Sequence, residues 1–377
     1  MFSSHIHRTV RYVVFSVIVA GCLATDACAQ PVKSPEVHAD GRVTLRLRAA
    51  KAAEVDVSLD GKKIPMVMNA DGVWEGTSEP LVPQIYDYTF VVDGTAMNDP
   101  SNRLMKKWLT IVSMVEIPGT PPRLTEFADV PHGTIHRMIY PSVSVGHSRP
   151  VMIYTPPGYD SANARKYPLV LLLHGYGDNE IAWIDGGRAH NIADNLIAAG
   201  RIEPVVIVMP DGHPEPLDIR DRPKNYFEVN QELLEKDITH DLLPFVEQNH
   251  NVRTDAAGRS IVGLSMGGGH ALNTGLRHIA MFSSIGAFSA ATPELSTEDL
   301  LLRYPSLSGP EPAANKLKHL WIPVGDKDES TVKKNDFFVE QLRTAGVKHE
   351  YFKTEGGHEW RLWRDFLPKF LEKVVGK

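Results

Sequence analysis

Cysteine is almost absent from this chain of 377 residues, which contains only Cys22 and Cys28. No cysteine follows residue 28, which excludes a disulfide framework and a cysteine-ligated metal centre in the rest of the chain. Runs of lysine or arginine are also missing, and the formal net charge is −6. This charge pattern argues against a nucleic-acid partner, because binding to a phosphate backbone requires a basic surface.

Apolar runs long enough to cross a membrane are missing as well. The run at residues 12–24 is well short of the ~20 residues that span a bilayer. It follows two arginines and precedes an Ala-Cys-Ala motif, so we predict a secretory signal peptide over residues 1–29, with cleavage near Ala29. The alternative is a bacterial lipoprotein signal, because Val-Ala-Gly precedes Cys22. We therefore expect a secreted or periplasmic protein, with an outer-membrane lipoprotein anchored through Cys22 as the alternative.

The length favours two domains, at ~150 residues per domain. Residues 30–117 contain short apolar-polar alternations, such as Val43, Leu45 and Leu47, separated by Asp-Gly turns. This pattern predicts a small all-β, immunoglobulin-like sandwich. A proline-rich stretch makes residues 118–132 the expected linker.

Residues 133–377 show a different pattern, in which continuous apolar runs alternate with amphipathic helical stretches such as 192–199 and 231–248. The apolar runs lie at residues 167–173, 204–209, 260–262, 281–287 and 317–324. Strands that are apolar on both faces and separated by helices predict a mostly parallel α/β sheet. In such sheets the functional residues follow the carboxyl ends of the strands.

The strongest local signal is Gly-Leu-Ser-Met-Gly at residues 263–267, directly after the apolar run at 260–262. A helix-compatible stretch at 270–280 follows it. This is the strand–turn–helix setting that exposes a nucleophilic serine, and it predicts Ser265 as the nucleophile rather than a serine in an ordinary glycine turn. A serine hydroxyl is weak alone, so a base and an acid are required elsewhere.

His358 is the expected base, because it lies in a glycine-rich loop after the last predicted strand, at 349–354. Asp326 and Asp328 both follow the preceding strand, and position alone does not separate them as the acid. The chain order serine, aspartate, histidine is that of the α/β-hydrolase fold, which is the fold class that we predict.

An oxyanion requires two backbone N–H donors, for which we predict Met266 and Tyr176. Met266 directly follows the nucleophile, and Tyr176 lies in the loop His-Gly-Tyr-Gly-Asp at 174–178, after the first long apolar strand. Small residues in this loop let the backbone approach the substrate oxygen. We expect a structural role for His174.

Four segments together resemble the esterase D / feruloyl esterase family of α/β hydrolases, whose relatives include enterochelin esterases, acetyl xylan esterases and mycolyltransferases. They lie at residues 174–183, 209–213, 263–268 and 357–360. The resemblance covers about residues 131–375. In that family the acid usually stands third after the glycine that closes its strand, which implies Asp328.

The front segment is similar to early-set, glycogen-branching-enzyme-type modules, which implies a carbohydrate-binding-like role. The alternative is an orienting or lid-like role beside the active site, because no exposed aromatic run marks a glycan surface. Two interpretations exist for its aromatic residues Trp74, Tyr86, Tyr88 and Trp108: a sugar-stacking platform or core packing, and we favour core packing for Trp74 and Tyr88. Near the active-site loops, Trp183 and Trp360 could line the substrate pocket or belong to the framework.

We predict no metal and no organic cofactor, because Asp211, His213, His240 and Asp241 are not accompanied by a recognised metal motif. Together with the resemblance, these features predict a secreted serine carboxylesterase. Its expected substrates are feruloyl or acetyl esters on plant cell-wall polysaccharide, such as xylan. The alternatives are a siderophore trilactone esterase and an acyltransferase of the same fold. The oligomeric state stays open.

Overall fold

The computed structural model describes residues 32–107, 109–215 and 224–377. The expected signal peptide at 1–29, with Cys22, and the aromatic residue Trp108 lie outside the described residues.

The front part of the described chain is all β and forms two sheets that pack face to face. Their strand orders are β1-β2-β6-β5 and β4-β3-β7-β10-β9, with β8 paired to β7. The strands are β1 (Glu36–Val37), β2 (Val43–Arg48), β3 (Val55–Leu59), β4 (Lys62–Pro65), β5 (Val67–Met68), β6 (Val73–Thr77), β7 (Gln84–Val92), β8 (Thr95–Met97), β9 (Met105–Lys107) and β10 (Ile111–Ile117).

Alternation of apolar and polar residues builds the core of this sandwich. In β3, Val55, Val57 and Leu59 are buried while the residues between them are partly exposed. Trp74 and Tyr88 belong to the same buried cluster, which is the core packing favoured for them. Since strand side chains alternate between the two faces, each sheet contributes one apolar face to a shared core.

The second part contains an eight-stranded sheet in the order β11-β12-β14-β13-β15-β16-β17-β18. Strands β13 to β18 pair in parallel, whereas β11 and β12 form an antiparallel hairpin at one edge. The strands are β11 (Thr134–Ser142), β12 (His147–Thr155), β13 (Leu169–Leu173), β14 (Val206–Pro210), β15 (Arg259–Leu264), β16 (Ser284–Phe288), β17 (His319–Gly325) and β18 (Glu350–Thr354).

Helices cover both faces of this sheet. They are α1 (Ala182–Asp185), α2 (Ala189–Ala198), α3 (Tyr226–Lys236), α4 (Leu243–Asn249), α5 (Met266–Arg277), α6 (Thr297–Arg303), α7 (Val332–Thr344) and α8 (Trp360–Val375). A π-helical segment, Asp237–Leu242, joins α3 to α4, so the helix expected at 231–248 is interrupted by wider turns. Within the described ranges, no helix is both long and apolar enough to cross a bilayer.

The strands of the sheet are apolar on both faces because each face meets a separate core. In β13, Leu169 and Leu171 belong to one buried cluster, and Val170 and Leu172 belong to the other. The result confirms the predicted fold class, an α/β-hydrolase fold preceded by a small β-sandwich.

Candidate active site

Ser265 occupies the sharp turn between β15 and α5. Its backbone has φ 52° and ψ −118°, a conformation that residues other than glycine rarely adopt. The neighbouring glycines make the turn sterically allowed, since a Cβ at Gly263 would lie 2.4 Å from the Gly267 backbone and a Cβ at Gly267 would lie 2.3 Å from His174 O. The strained turn leaves the Ser265 side chain partly exposed at the carboxyl end of the sheet.

The structure brings Ser265, His358 and Asp328 together in one chain of hydrogen bonds. His358 Nε2 lies 2.8 Å from Ser265 Oγ, and His358 Nδ1 lies 2.8 Å from Asp328 Oδ2. His358 reaches this position from the loop between β18 and α8, and its ring packs edge-to-face on Trp363 at a centroid distance of 4.9 Å. The geometry allows the imidazole to accept the serine proton through Nε2 while Nδ1–H donates to the carboxylate.

Asp328 is fully buried and saturated with donors. Its carboxylate accepts hydrogen bonds from Thr331 N at 3.0 Å, Thr331 Oγ1 at 2.7 Å and Ser330 Oγ at 2.9 Å, in addition to His358. Burial alone raises the pKa of Asp328, but the hydrogen bonds from His358 and Thr331 outweigh it and lower the pKa to about 2. The carboxylate is therefore ionised throughout the neutral range.

Asp326, the other candidate acid, is exposed and accepts a hydrogen bond from Gly356 N at 3.1 Å. It supports the backbone of the loop that carries His358.

The loop at 174–178 is held from below by two buried histidines. His174 Nδ1 lies 2.8 Å from Gly175 O, and Gly212 N donates to His174 Nε2 at 2.6 Å. Gly177 N donates to His213 Nε2 at 3.2 Å. These contacts fix the backbone on either side of Tyr176 and give His174 a structural position. Met266 begins α5, where the first N–H groups of a helix lack partners within the helix.

A cleft of about 1030 Å³ opens above Ser265 and is lined by both parts of the chain. The α/β part contributes the residues around Tyr176, Ser265 and His358, and the sandwich contributes β3, β4 and the start of β7. The sandwich therefore forms a wall of the site, including the partly exposed side chain of Tyr86.

The two tryptophans singled out in the sequence occupy different positions. Trp360 lines the cleft, whereas Trp183 is only 1% exposed and donates from Nε1 to Leu173 O at 3.0 Å. The two rings pack edge-to-face with their centroids 5.1 Å apart. Because Trp183 is buried behind Trp360, its position favours a role in the framework of the site over a role in lining the substrate pocket.

The formal charges of the acidic and basic side chains that line the cleft sum to zero. Five carboxylates and five cations line it: Asp60, Glu79, Asp87, Asp178 and Glu359, with Lys62, Lys63, Lys106, Arg361 and Arg364. Pattern reasoning on the sequence missed Lys106 and Asp178. The only available signal was the position of Asp178 directly after the His-Gly-Tyr-Gly loop.

Among residues 32–107, 109–215 and 224–377, no group of three or more histidine, cysteine or acidic side chains converges as metal ligands do. Asp211 instead lies 3.3 Å from His174 Nε2, and His213 Nδ1 lies 2.6 Å from the Tyr226 hydroxyl. Asp241 accepts a hydrogen bond from Ser144 N at 2.9 Å and stabilises a turn away from the cleft.

Comparison with known proteins gives the site a family context. The Putative esterase family model matches residues 142–374. An endo-1,4-beta-xylanase/feruloyl esterase of Xylanibacter ruminicola is 31% identical over 350 residues, which are 90% of this chain and 46% of that protein. The chain thus spans less than half the length of this relative.

Two solved structures show the shared architecture. A ferulic acid esterase superposes with a TM-score of 0.54 at 26% identity, over 65% of this chain and 98% of that one. The enterobactin esterase of Shigella flexneri superposes with a TM-score of 0.65 at 20% identity, over 88% of this chain and 92% of its own. The family match and the fold confirm the esterase resemblance found in residues 131–375, and the chain belongs to the putative esterase family of α/β hydrolases.

Proposed function

We propose that the chain is a serine carboxylesterase that works through an acyl-enzyme. The observation that carries the proposal is the hydrogen-bonded chain from Ser265 Oγ through His358 to the buried Asp328. His358 Nε2 takes the hydroxyl proton as Ser265 attacks the ester carbonyl, and Asp328 stabilises the resulting imidazolium. The protonated His358 then donates its proton to the leaving alcohol. The neutral imidazole that results activates a water molecule, which attacks the acyl-enzyme and releases the acyl group.

The proposed oxyanion donors are the N–H groups of Tyr176 and Met266. Tyr176 lines the same cleft as Ser265, and Met266 follows the nucleophile in the chain. One such donor contributes about 3 kcal/mol to transition-state stabilisation in serine hydrolases.

For the substrate we propose feruloyl or acetyl esters on plant cell-wall polysaccharide. The support is the relative named endo-1,4-beta-xylanase/feruloyl esterase, which aligns with 90% of this chain, and the ferulic acid esterase at 26% identity. A cleft of about 1030 Å³ is at the upper end of the range for small-molecule sites and leaves room for a sugar beside the acyl group.

A trilactone esterase is the second candidate. The fold similarity to the enterobactin esterase extends over 88% of this chain, well beyond the residues of the family match. The balanced charges of the cleft argue against it, because a catecholate ligand favours an excess of cations. Acyl transfer to a sugar hydroxyl would use the same acyl-enzyme and differs only in the final acceptor.

We further propose that the protein is exported by its N-terminal segment and that residues 30–117 act as a module beside the catalytic residues 133–377, joined by a linker at 118–132. The support for export is the arrangement of charges, apolar residues and Ala-Cys-Ala in the sequence. The support for the module is its contribution to the cleft wall.

The test is a hydrolysis panel on the purified protein, with methyl ferulate, feruloylated arabinoxylan, acetylated xylan and a catecholate trilactone. Each substrate is run beside Ser265→Ala, and the products are resolved by mass. Release of ferulate or acetate that is lost in Ser265→Ala supports the proposal. Activity confined to the trilactone supports the second candidate, and full turnover by Ser265→Ala contradicts both. Addition of a carbohydrate acceptor detects acyl transfer by its product.

A further inference from the structure

Asp178 is a buried carboxylate in the cleft that the proposed mechanism does not use. It lies two residues after Tyr176, lines the cleft and is 6% exposed. Its Oδ1 has no hydrogen-bond partner among the described residues. Burial raises the pKa of Asp178 to about 6, although the nearby charges of His174 and Lys106 oppose the rise. A buried carboxylate without a partner is costly to the fold, and because Asp178 lines the cleft, a bound substrate can supply the hydrogen bond that the protein does not.

Lys106 is the matching group on the sandwich side. Its side chain is 9% exposed, and its ammonium lies 2.6 Å from Asp87 Oδ2. The ammonium also lies 5.8 Å from the centroid of the Trp360 ring, within the range of a cation–π contact. Asp87 and Trp360 therefore hold Lys106 in place at the cleft wall, where an ammonium retains further N–H donors.

We propose that Asp178 and Lys106 together form a subsite for hydroxyl groups on a ring of the ester substrate, one accepting and one donating a hydrogen bond. The subsite spans the two parts of the chain, because Asp178 belongs to the α/β part and Lys106 to β9 of the sandwich. The inference rests on the proposed esterase function and adds which substituents of the substrate the cleft recognises, namely ring hydroxyl groups.

The charges explain why the ligand is a neutral hydroxyl group. Lys106 is already paired with Asp87, and the charge of Asp178 is opposed by those of His174 and Lys106. A charged substituent therefore finds no free counter-charge at this corner, whereas a hydroxyl can donate to Asp178 and accept from Lys106. Neighbouring hydroxyls of this kind occur on a sugar in the alcohol half of an ester and on a phenolic ring in its acyl half.

Two pairs of substrates separate these two sources. Feruloyl arabinofuranose and methyl ferulate share the acyl group and differ in the sugar hydroxyls, whereas methyl caffeate and methyl cinnamate share the alcohol and differ in the ring hydroxyls. For each pair, the ratio of the kcat/KM values is measured in the full chain and in Asp178→Ala, Asp178→Asn and Lys106→Met. The control is Lys107→Met, because Lys107 is an exposed neighbour in the same strand and does not line the cleft.

We expect the wild-type protein to prefer the hydroxylated member of one pair, and that pair identifies the source. Asp178→Ala and Lys106→Met should each lower the preference about tenfold, because each removes a hydrogen bond that involves a charged group. Asp178→Asn, which keeps an acceptor oxygen, should restore part of it, and Lys107→Met should leave it unchanged.

An unchanged preference in both pairs for Asp178→Ala and Lys106→Met overturns the subsite, while the esterase proposal stands on the turnover itself. If Asp178→Ala does not fold, Lys106→Met decides alone. Absence of turnover of all four esters by the wild-type protein overturns the esterase proposal, and the subsite with it.

Discussion

Arg364 in α8 donates a hydrogen bond of 3.0 Å to Gln84 Oε1 in β7, and this contact joins the helix after His358 to the sandwich. The same guanidinium donates to Ile85 O at 3.3 Å and to Gly186 O at 2.6 Å. Arg364 is 2% exposed, and burial lowers its pKa to about 10. A buried cation at this junction ties the sandwich wall of the cleft to the element that positions the histidine.

Replacing Arg364 by methionine should therefore destabilise the protein by about 2–4 kcal/mol. The apolar side chain leaves the buried carbonyl oxygens of Ile85 and Gly186 without this donor, and each unsatisfied group costs about 1–3 kcal/mol. Gln84 Oε1 keeps its second donor, Ile85 N. The measurement is the free energy of unfolding in urea. The matched control is Arg361→Met, because Arg361 lies one turn earlier and is 45% exposed in its pair with Glu359. Loss of such a surface pair should cost less than about 1 kcal/mol. Equal losses in the two variants would contradict a linking role for Arg364.

The two neighbouring aspartates should differ sharply in their effect on activity. Asp328→Asn should lower kcat by about 10⁴, because an amide at this position no longer orients and stabilises the His358 imidazolium. Asp326→Asn should change kcat only a few fold, since Asp326 is exposed and bonds to the Gly356 backbone. Steady-state kinetics on one aryl ester test both variants, with circular dichroism to verify their folding. A large loss in Asp326→Asn and a small one in Asp328→Asn would reverse the assignment of the acid.

The sequence was sufficient for features that depend on local pattern. The strand–turn–helix motif around Ser265 and the apolar runs of the parallel sheet predicted the fold class, since each of these signals is contained within a few consecutive residues. The hairpin of β11 and β12 was not predicted, because β11 is an edge strand with exposed Ile139 and an internal Pro141. An edge strand tolerates both features, and they obscure the alternation.

Features that depend on contacts between distant segments required the structure. Position in the sequence left Asp326 and Asp328 equivalent, whereas burial and the bonds from Thr331 distinguish them. The approach of Lys106 to the cleft depends on how the sandwich packs against α8. The apolar–polar pattern of the sandwich strands and that of α8 do not predict how the two pack against each other.

Asp178 should make the protein less stable as pH rises, whereas most carboxylates of folded proteins make it more stable. Its pKa in the folded state is raised from 3.8 to about 6, so the fold favours the protonated form and loses stability as pH rises through about 6. Asp178→Asn removes this penalty. Relative to wild type, its free energy of unfolding should therefore rise by about 2 kcal/mol between pH 4 and pH 8.

Urea denaturation at the two pH values measures this difference, and the exposed Asp129→Asn serves as control. A difference that stays constant with pH would show that Asp178 does not titrate in this range. A gain in stability at pH 8 together with a loss of discrimination between substrates is the behaviour expected of a residue kept for function.

The tight turn under the nucleophile depends on the absence of a side chain at Gly267. A Cβ at Gly267 would lie 2.3 Å from His174 O and 2.7 Å from Leu173 O, and both are backbone atoms fixed in β13 and its loop. Gly267→Ala should therefore destabilise the protein by about 3 kcal/mol and displace the loop that carries Tyr176, so that kcat also falls.

Gly275 in the same helix is the matched control. A Cβ there would lie 2.5 Å from Ile285 Cδ1 and 2.7 Å from Ile285 Cγ1, which are side-chain atoms of the core and not fixed backbone atoms. Alanine also gains up to about 1 kcal/mol of helix propensity over glycine, which offsets part of the crowding. Gly275→Ala should thus destabilise the protein by about 1–2 kcal/mol, less than Gly267→Ala, and leave kcat intact, because the crowded atoms lie in the core and not in the loop that carries Tyr176. If the two variants lose equal stability and equal kcat, the close approach of α5 to β13 at Gly267 is not what fixes the position of Ser265.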